Sequence, residues 1–235
     1  MCAASRNLNA PSLFEVVVGS LLSVLLGVVL AATILILKPV EVVKELPKEP
    51  VAGKLYYLEG KKDWNAGRKW MFKRDAFLQG HSVSVTEDEL NTWVDNIYPS
   101  ATPPPSGKKD KKEEAAAAAN KPLISTGTPN FRLMGETLKC CVVYEVNVFG
   151  YSFNVAAQAE GAFAKPKGKD TIEFRPDVFY VGSLPAHKLL VLKALIFKQV
   201  VGCFELPGDL VGIWAKLGDV KIEKKQLVFT LPEPS

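Results

Sequence analysis

The chain has 235 residues, of which 48% are hydrophobic and 23% are charged, a composition typical of a folded protein and not of a disordered one. Four cysteines are too few for a disulfide scaffold, two histidines leave little for a histidine-based active site, and a net charge of +4 does not indicate a nucleic-acid partner. The mean hydropathy of +0.09 is high for a soluble enzyme, and one N-terminal segment accounts for it.

That segment is a predicted transmembrane helix at residues 16–37, which follows a short N-terminal tail at 1–15. It contains no charge, and a helix of this length rises about 33 Å, the thickness of the hydrocarbon core of a bilayer. A cleaved signal peptide would have a shorter apolar region and a small-x-small cleavage site, whereas residues 34–39 are ILILKP. We therefore predict a retained, single-pass anchor.

The residues alone leave the orientation of the anchor open. Basic residues are more frequent after the helix than before it: Arg6 precedes it, and Lys38, Lys44, Lys48 and Lys54 follow it. The positive-inside rule then places the C-terminal domain in the cytoplasm, but the rule weakens when a long folded domain follows the helix.

Small residues recur at every fourth position within the anchor: Gly19, Ser23, Gly27 and Ala31. Small residues on one helix face allow two helices to approach closely, so the pattern predicts a homodimer seam.

Residues 38–54, with prolines among alternating charges, predict an extended juxtamembrane linker. A helical segment at 55–98 follows. Its first helix, at 63–79, ends at Gly80. It carries four basic residues, which form either a solvated face or a contact with anionic lipid head groups or nucleic-acid phosphates: Arg68, Lys69, Lys73 and Arg74. The second helix begins at a capping box of Thr86 and Glu89, which a short strand precedes.

The segment 99–122 is of low complexity, with three consecutive prolines, the run GKKDKKEE and five alanines. It has no apolar pattern, so we expect a mobile insertion between the helical segment and a β-rich region at 123–235. We expect 55–98 and 123–235 to form one folded unit.

Alternation of apolar and polar residues predicts a long antiparallel hairpin around Gly150, with one apolar and one solvated face. A third strand near 171–181 and a last hairpin near 220–231 follow the same pattern. Between them, residues 186–201 predict an apolar helix whose lysines point to three different sides, so that it has no polar face. Protein or an apolar ligand must cover it, and we predict that four of its residues contact such a ligand: Leu189, Leu192, Ile196 and Phe197.

The chain contains no phosphate-binding glycine loop, no metal-ligand spacing and no nucleophile elbow. The adjacent residues Cys140 and Cys141 should point to opposite faces of a strand, which argues against a vicinal disulfide or a metal pair. We predict a protein that is not an enzyme, with no catalytic residues, no metal ligands and no cofactor.

The N-terminal anchor, the helix start TEDELN at 86–91 and the motif YVGSLPAHKLL at 180–190 resemble uncharacterised bacterial single-pass membrane-anchored proteins. These are in turn similar to the tubular lipid-binding (TULIP) superfamily. The resemblance implies a curved sheet around a long helix, in an extracytoplasmic domain that holds or shuttles lipid. It favours the outward orientation, against the count of lysines.

We therefore expect an α+β protein, in which a transmembrane helix precedes a curved antiparallel β-sheet packed on a long apolar helix. We expect a non-enzymatic envelope protein of the inner (cytoplasmic) membrane that binds lipid or another apolar ligand, with no nucleic-acid partner. The alternative is a membrane-anchored scaffold or assembly factor that recruits protein partners.

Overall fold

The computed structural model describes residues 12–38, 40–45, 47–49, 51, 55–63, 65–98, 122–148, 150–168, 170–189, 197–198 and 206–232. Its helices are α1 (Leu13–Leu37), α2 (Ala66–Leu78), α3 (Glu87–Ile97) and α4 (Gly208–Trp214). Its strands are β1 (Glu41–Val43), β2 (Tyr56–Leu58), β3 (Val83–Thr86), β4 (Ile124–Thr126), β5 (Asn130–Met134), β6 (Thr137–Val148), β7 (Tyr151–Ala164), β8 (Glu173–Val181), β9 (Asp219–Glu223) and β10 (Gln226–Thr230). The protein is α+β, with antiparallel sheets after an N-terminal apolar helix, as the sequence predicts.

Helix α1 begins at Leu13, earlier than predicted, because Ser12 and Glu15 form a capping box that satisfies backbone amides of the first turn. Among the described residues, α1 is the one helix long and apolar enough to cross a membrane. A membrane anchor and a signal sequence share this length and composition.

The larger antiparallel sheet has the order β4-β6-β7-β8, and β5 pairs with β6 beside β4. The predicted hairpin around Gly150 is its centre, formed by β6 and β7. A second antiparallel sheet, β3-β10-β9, contains the predicted C-terminal hairpin. Strands β1 and β2 form a short parallel pair, so the segment predicted as an extended linker contains a strand.

The main hydrophobic core lies where α2, α3 and α4 pack with the three-stranded sheet and one end of the larger sheet. Its buried residues include Trp70, Phe77, Val85, Leu90, Leu138, Leu210 and Phe229. The helix predicted from the capping box is α3, and Thr86 and Glu89 make both hydrogen bonds of that box.

Asn91 joins three chain segments inside this core. Its side chain is fully buried, and its Nδ2 donates to the carbonyls of Lys61 (3.1 Å) and Phe131 (2.8 Å). Its Oδ1 accepts from the backbone N–H of Phe131 at 2.7 Å, and the N–H of Gly60 donates to the side chain of Asn130 at 2.7 Å. A buried amide side chain with these partners ties α3 to β5 and to the segment after β2.

The acidic residues at the start of α3 also tie this helix to β5 and to the segment after β2. The carboxylate of Glu87 accepts from the backbone N–H groups of Lys61 (2.9 Å) and Leu133 (3.0 Å), and Arg132 lies 3.5 Å from it. These carboxylates also suit the positive end of the helix dipole. The motif TEDELN thus holds α3 to β5 and to the segment after β2. We call the hydrogen bonds that Asn91 and Glu87 make to these two segments the clasp.

The sheet is not apolar on one face and solvated on the other along its whole length, so that expectation was wrong for the middle of β6 and β7. Cys141 and Ala156, on the face predicted to be solvated, are buried. Tyr57 and Val40, from the chain that follows α1, cover them. Alternation signals exposure only where no other segment packs on the second face.

The apolar helix predicted from Ala186 does not begin there as an α-helix. Ala186–Lys188 form a single 3-10 turn, after which Leu189 has φ −86° and ψ 80°, outside the helical region. Ala186 is fully buried against β8, and the ring Nδ1 of His187 lies 3.0 Å from the Phe179 carbonyl, so tertiary contacts fix the turn. Phe197 and Lys198 are helical, while 190–196 and 199–205 lie outside the described residues.

Gly60→Ala tests the clasp around Asn91. A Cβ at this position would lie 2.3 Å from the Phe131 carbonyl oxygen and 2.4 Å from Asn91 Nδ2. We expect a loss of about 2–4 kcal/mol in the free energy of unfolding, since the clasp must open to admit the methyl group. Denaturant unfolding followed by tryptophan fluorescence measures this loss.

Gly212→Ala is the control, because a Cβ there has open space and the residue lies in α4. We expect it to raise stability by about 0.5–1 kcal/mol through helix propensity. Equal effects of the two substitutions would contradict the role given to the clasp.

Candidate functional site

The C-terminal end of α1 is attached to the folded domain by a backbone hydrogen bond. The carbonyl of Leu35 accepts from the N–H of Ser183 at 2.8 Å. In an α-helix this carbonyl would bond the amide four residues later, but residue 39 is proline and has no N–H. The domain therefore supplies the donor that the helix lacks.

The residue before Ser183 fits this junction only as glycine. The N–H of Gly182 donates to the carbonyl of Ala156 in β7 at 2.7 Å, and its φ of +57° is in the left-handed region. A Cβ on Gly182 would lie 2.1 Å from the carbonyl oxygen of Ile36. The turn after β8 thus brings the end of α1 against the edge of β7. The motif at 180–190 carries part of the family resemblance, but nothing in its sequence indicates a partner in α1.

The rest of α1 has little contact with the domain. Its residues are mostly exposed, and only those of its last turn, 35–37, are consecutively half-buried. The small residues of the predicted dimer seam lie on this exposed stretch, with open space around Gly19 and Gly27. The Ser23 hydroxyl donates to the Gly19 carbonyl of the same helix at 2.8 Å. Self-association through Gly19, Ser23, Gly27 and Ala31 stays a prediction.

A row of apolar residues crosses the larger sheet near Gly150, where β6 turns into β7; we call this the outer part of the sheet. Ile124, Val146 and Phe153 are paired across β4, β6 and β7, and Val148 pairs with Tyr151 one step further out. We call these five residues the open end of the sheet. Ile124 is 56% exposed, Phe153 37% and Tyr151 70%, while the two valines are half-buried.

The same face is covered further along the strands. Ala157, Ala159 and Phe179 are buried, and the ring of Phe197 lies on Phe179 at 5.6 Å in an edge-to-face arrangement. The apolar face thus continues from a covered part to the open end.

The structure describes two of the four predicted ligand residues, Leu189 and Phe197. Leu189 is half-buried just after the 3-10 turn, and Phe197 packs on the covered part of the sheet. Leu192 and Ile196 lie outside the described residues. The open end, which lies beside this group, was not singled out as a ligand surface, although the alternation that predicted the hairpin contained the signal.

The two described cysteines are poor candidates for chemistry. Cys140 and Cys141 are buried on opposite faces of β6. Burial raises the pKa of the Cys141 thiol, as it does that of the nearby Tyr57 hydroxyl. Within the described ranges, no cluster of three or more histidine, cysteine or acidic residues could hold a metal ion.

Comparison of the chain with protein-family models, with curated proteins and with solved structures finds no match.

Gly182→Ala tests the attachment of α1, with Gly168→Ala as its control. Both glycines have φ in the left-handed region, but a Cβ at Gly168 meets open space. We expect Gly168→Ala to cost about 1 kcal/mol from backbone strain alone. Gly182→Ala should cost about 2–3 kcal/mol more, because its methyl group would strike the end of α1. Thermal unfolding of the full chain in detergent measures the difference, and equal midpoints would contradict the attachment.

Proposed function

We propose that this protein is a membrane-anchored, non-enzymatic envelope protein that binds lipid or another apolar ligand. In this proposal α1 stays in the inner (cytoplasmic) membrane as a single-pass anchor, and the domain lies outside the cytoplasm. The resemblance to membrane-anchored proteins with a TULIP-like domain is one support for it.

The hydrogen bond from Ser183 to Leu35 supports an anchor over a cleaved signal sequence. Removal of α1 would take away the carbonyl that accepts from the Ser183 N–H, and leave that amide of the domain without this acceptor. The chain directly after α1 enters the fold, since β1 pairs with β2 and Val40 packs on the back of the sheet, so α1 ends at the domain without a long linker. A signal sequence is discarded, and the bond between Leu35 and Ser183 would be lost with it, whereas an anchor keeps that bond.

The ligand proposal rests on the open end. Its apolar row continues from the Phe179 and Phe197 contact, and an acyl chain laid along it would extend the covered face outward. Each 100 Å² of apolar surface so covered would contribute about 2.5 kcal/mol. Flat apolar rows of this kind suit a flexible hydrocarbon chain, because they offer contact area without directed polar groups.

A single specific observation favours the alternative, a scaffold that recruits protein partners. Phe72 is 77% exposed at the centre of the outer face of α2, where Met71, Arg68 and Lys69 are also exposed. The other two basic residues of this helix are engaged within the fold, Lys73 with Glu89 and Arg74 with Asp209. An exposed aromatic ring beside a methionine and an arginine is typical of a docking surface for protein, because these residue types are enriched at protein interfaces.

Orientation is tested with a reporter cysteine at Ser235 in a chain in which Cys2 and Cys203 are replaced by serine. Cys140 and Cys141 remain, since they are buried. We expect a membrane-impermeant maleimide to label the reporter on intact cells or spheroplasts. Labelling that requires permeabilisation would place the domain in the cytoplasm, as the count of lysines favours.

Ligand binding is tested by native mass spectrometry of the full chain released from detergent. We expect a retained lipid mass, and we expect Val146→Asp to remove it because the carboxylate would stand in the apolar row. Asn154→Asp is the matched control: it adds the same group on an exposed position of the opposite face of β7. If both variants retain the same adducts as the unaltered chain, the ligand proposal fails and the scaffold is favoured.

A further inference from the structure

The junction at Ser183 lies at the surface of any membrane that α1 spans. Helix α1 has 25 residues, which gives a length of about 37 Å, whereas the hydrocarbon core is about 30 Å thick. The last turn of α1 therefore lies within or just beyond the polar head groups. Tilting of the helix would bring that turn closer to the hydrocarbon. The Ser183 amide, 2.8 Å from the Leu35 carbonyl, lies there with it, so no spacer separates the domain from the bilayer.

Strand β7 leads from this junction to the open end. Ala156 is joined to the turn through Gly182, and β8 reaches only as far as the pair of Ala157 with Val181. From there β7 continues outward to Tyr151 with no β8 partner among the described strands. From Ala156 to Tyr151 the distance along the strand is about 17 Å at 3.4 Å per residue.

The outer hairpin lacks the charges that a solvent-exposed hairpin carries. From Val146 to Ala159 the sequence is VNVFGYSFNVAAQA, without a charged side chain. Its tip exposes an aromatic ring, that of Tyr151. The turn between β9 and β10 is the contrast within the same molecule, since Glu223, Lys224 and Lys225 are all charged and exposed there. Tyrosine at the level of the lipid head groups is a common feature of membrane interfaces.

We infer that the open end of the sheet contacts the bilayer surface beside α1, with Tyr151 at the level of the head groups. The inference rests on the proposed retention of α1 as an anchor. The occupant is the lipid surface, because the end of α1 holds that surface next to Ala156 in β7 and the hairpin that continues from there carries no charge. An acyl chain would then pass from the bilayer to the sheet without crossing water.

The test measures the depth of a nitroxide label in the full chain, reconstituted in phosphatidylcholine vesicles. Labels are placed at Tyr151→Cys and, separately, at Ile124→Cys, in the chain with serine at Cys2 and Cys203. Collision rates with oxygen, which concentrates in lipid, and with a water-soluble nickel complex report the depth. We expect nickel collisions at both positions to be several-fold fewer than at Lys224→Cys, the control on the charged turn, and oxygen collisions to be more frequent.

Water-like collision rates at both positions, matching those at Lys224→Cys, overturn the inference. That outcome would leave the ligand proposal standing if native mass spectrometry shows an adduct sensitive to Val146→Asp. Lipid-like rates together with no such adduct would support the membrane contact and remove the ligand proposal. Far-ultraviolet circular dichroism of each labelled chain confirms that it is folded as the unaltered chain is.

Discussion

The carbonyl of Leu35 is the group on which the placement of the whole domain depends. Residue 39 is proline, so the last turn of α1 cannot complete its own hydrogen bonding. A carbonyl that is removed from water and left without a donor costs about 1–3 kcal/mol. The Ser183 N–H satisfies it, and Gly182 permits the approach because it has no Cβ. One backbone bond thereby couples the first helix to a turn that follows the last strand of the larger sheet.

Because α1 ends at the edge of β7, the chain segments that follow α1 and β8 cover the two faces of the sheet near this junction. Val40 and Tyr57 cover the back of β6 and β7, where Cys141 and Ala156 are buried. Contacts on the front face come from later in the chain, from Ala186 and Phe197. Covering both faces near the junction leaves the outer part of the hairpin as the exposed part of the apolar face. The exposure of Phe153 and Tyr151 therefore follows from where these covering segments stop.

Sequence patterns predicted the elements whose signals are local. The capping box of Thr86 and Glu89, the hairpin around Gly150 and the C-terminal hairpin all depend on residues a few positions apart, and the structure confirms them. The features that failed, or that no pattern predicted, depend on tertiary partners outside the local pattern. The burial of Cys141 requires Tyr57, and the 3-10 turn at Ala186 requires Phe179. The buried Asn91, which has the same sequence appearance as a solvated helix residue, requires Phe131. The attachment at Gly182 belongs to this second class, since nothing in its motif indicates a partner in α1, whereas the alternation of the hairpin contained the signal for the open end.

An uncharged sheet edge in water is a hazard, because unpaired strand backbone can pair with another copy of the chain. Among the described strands, residues 151–155 of β7 have no partner on the side where β8 pairs with the rest of β7. No charged side chain between Val146 and Ala159 opposes pairing with another copy. A second copy would have to be recruited to this edge from the surrounding membrane. In the proposed anchored state the bilayer that α1 crosses lies next to this edge, since the Leu35 bond joins α1 to the turn beside β7. The polar head groups, unlike the hydrocarbon core, would hydrogen-bond the unpaired strand backbone before a second copy of the chain reaches it.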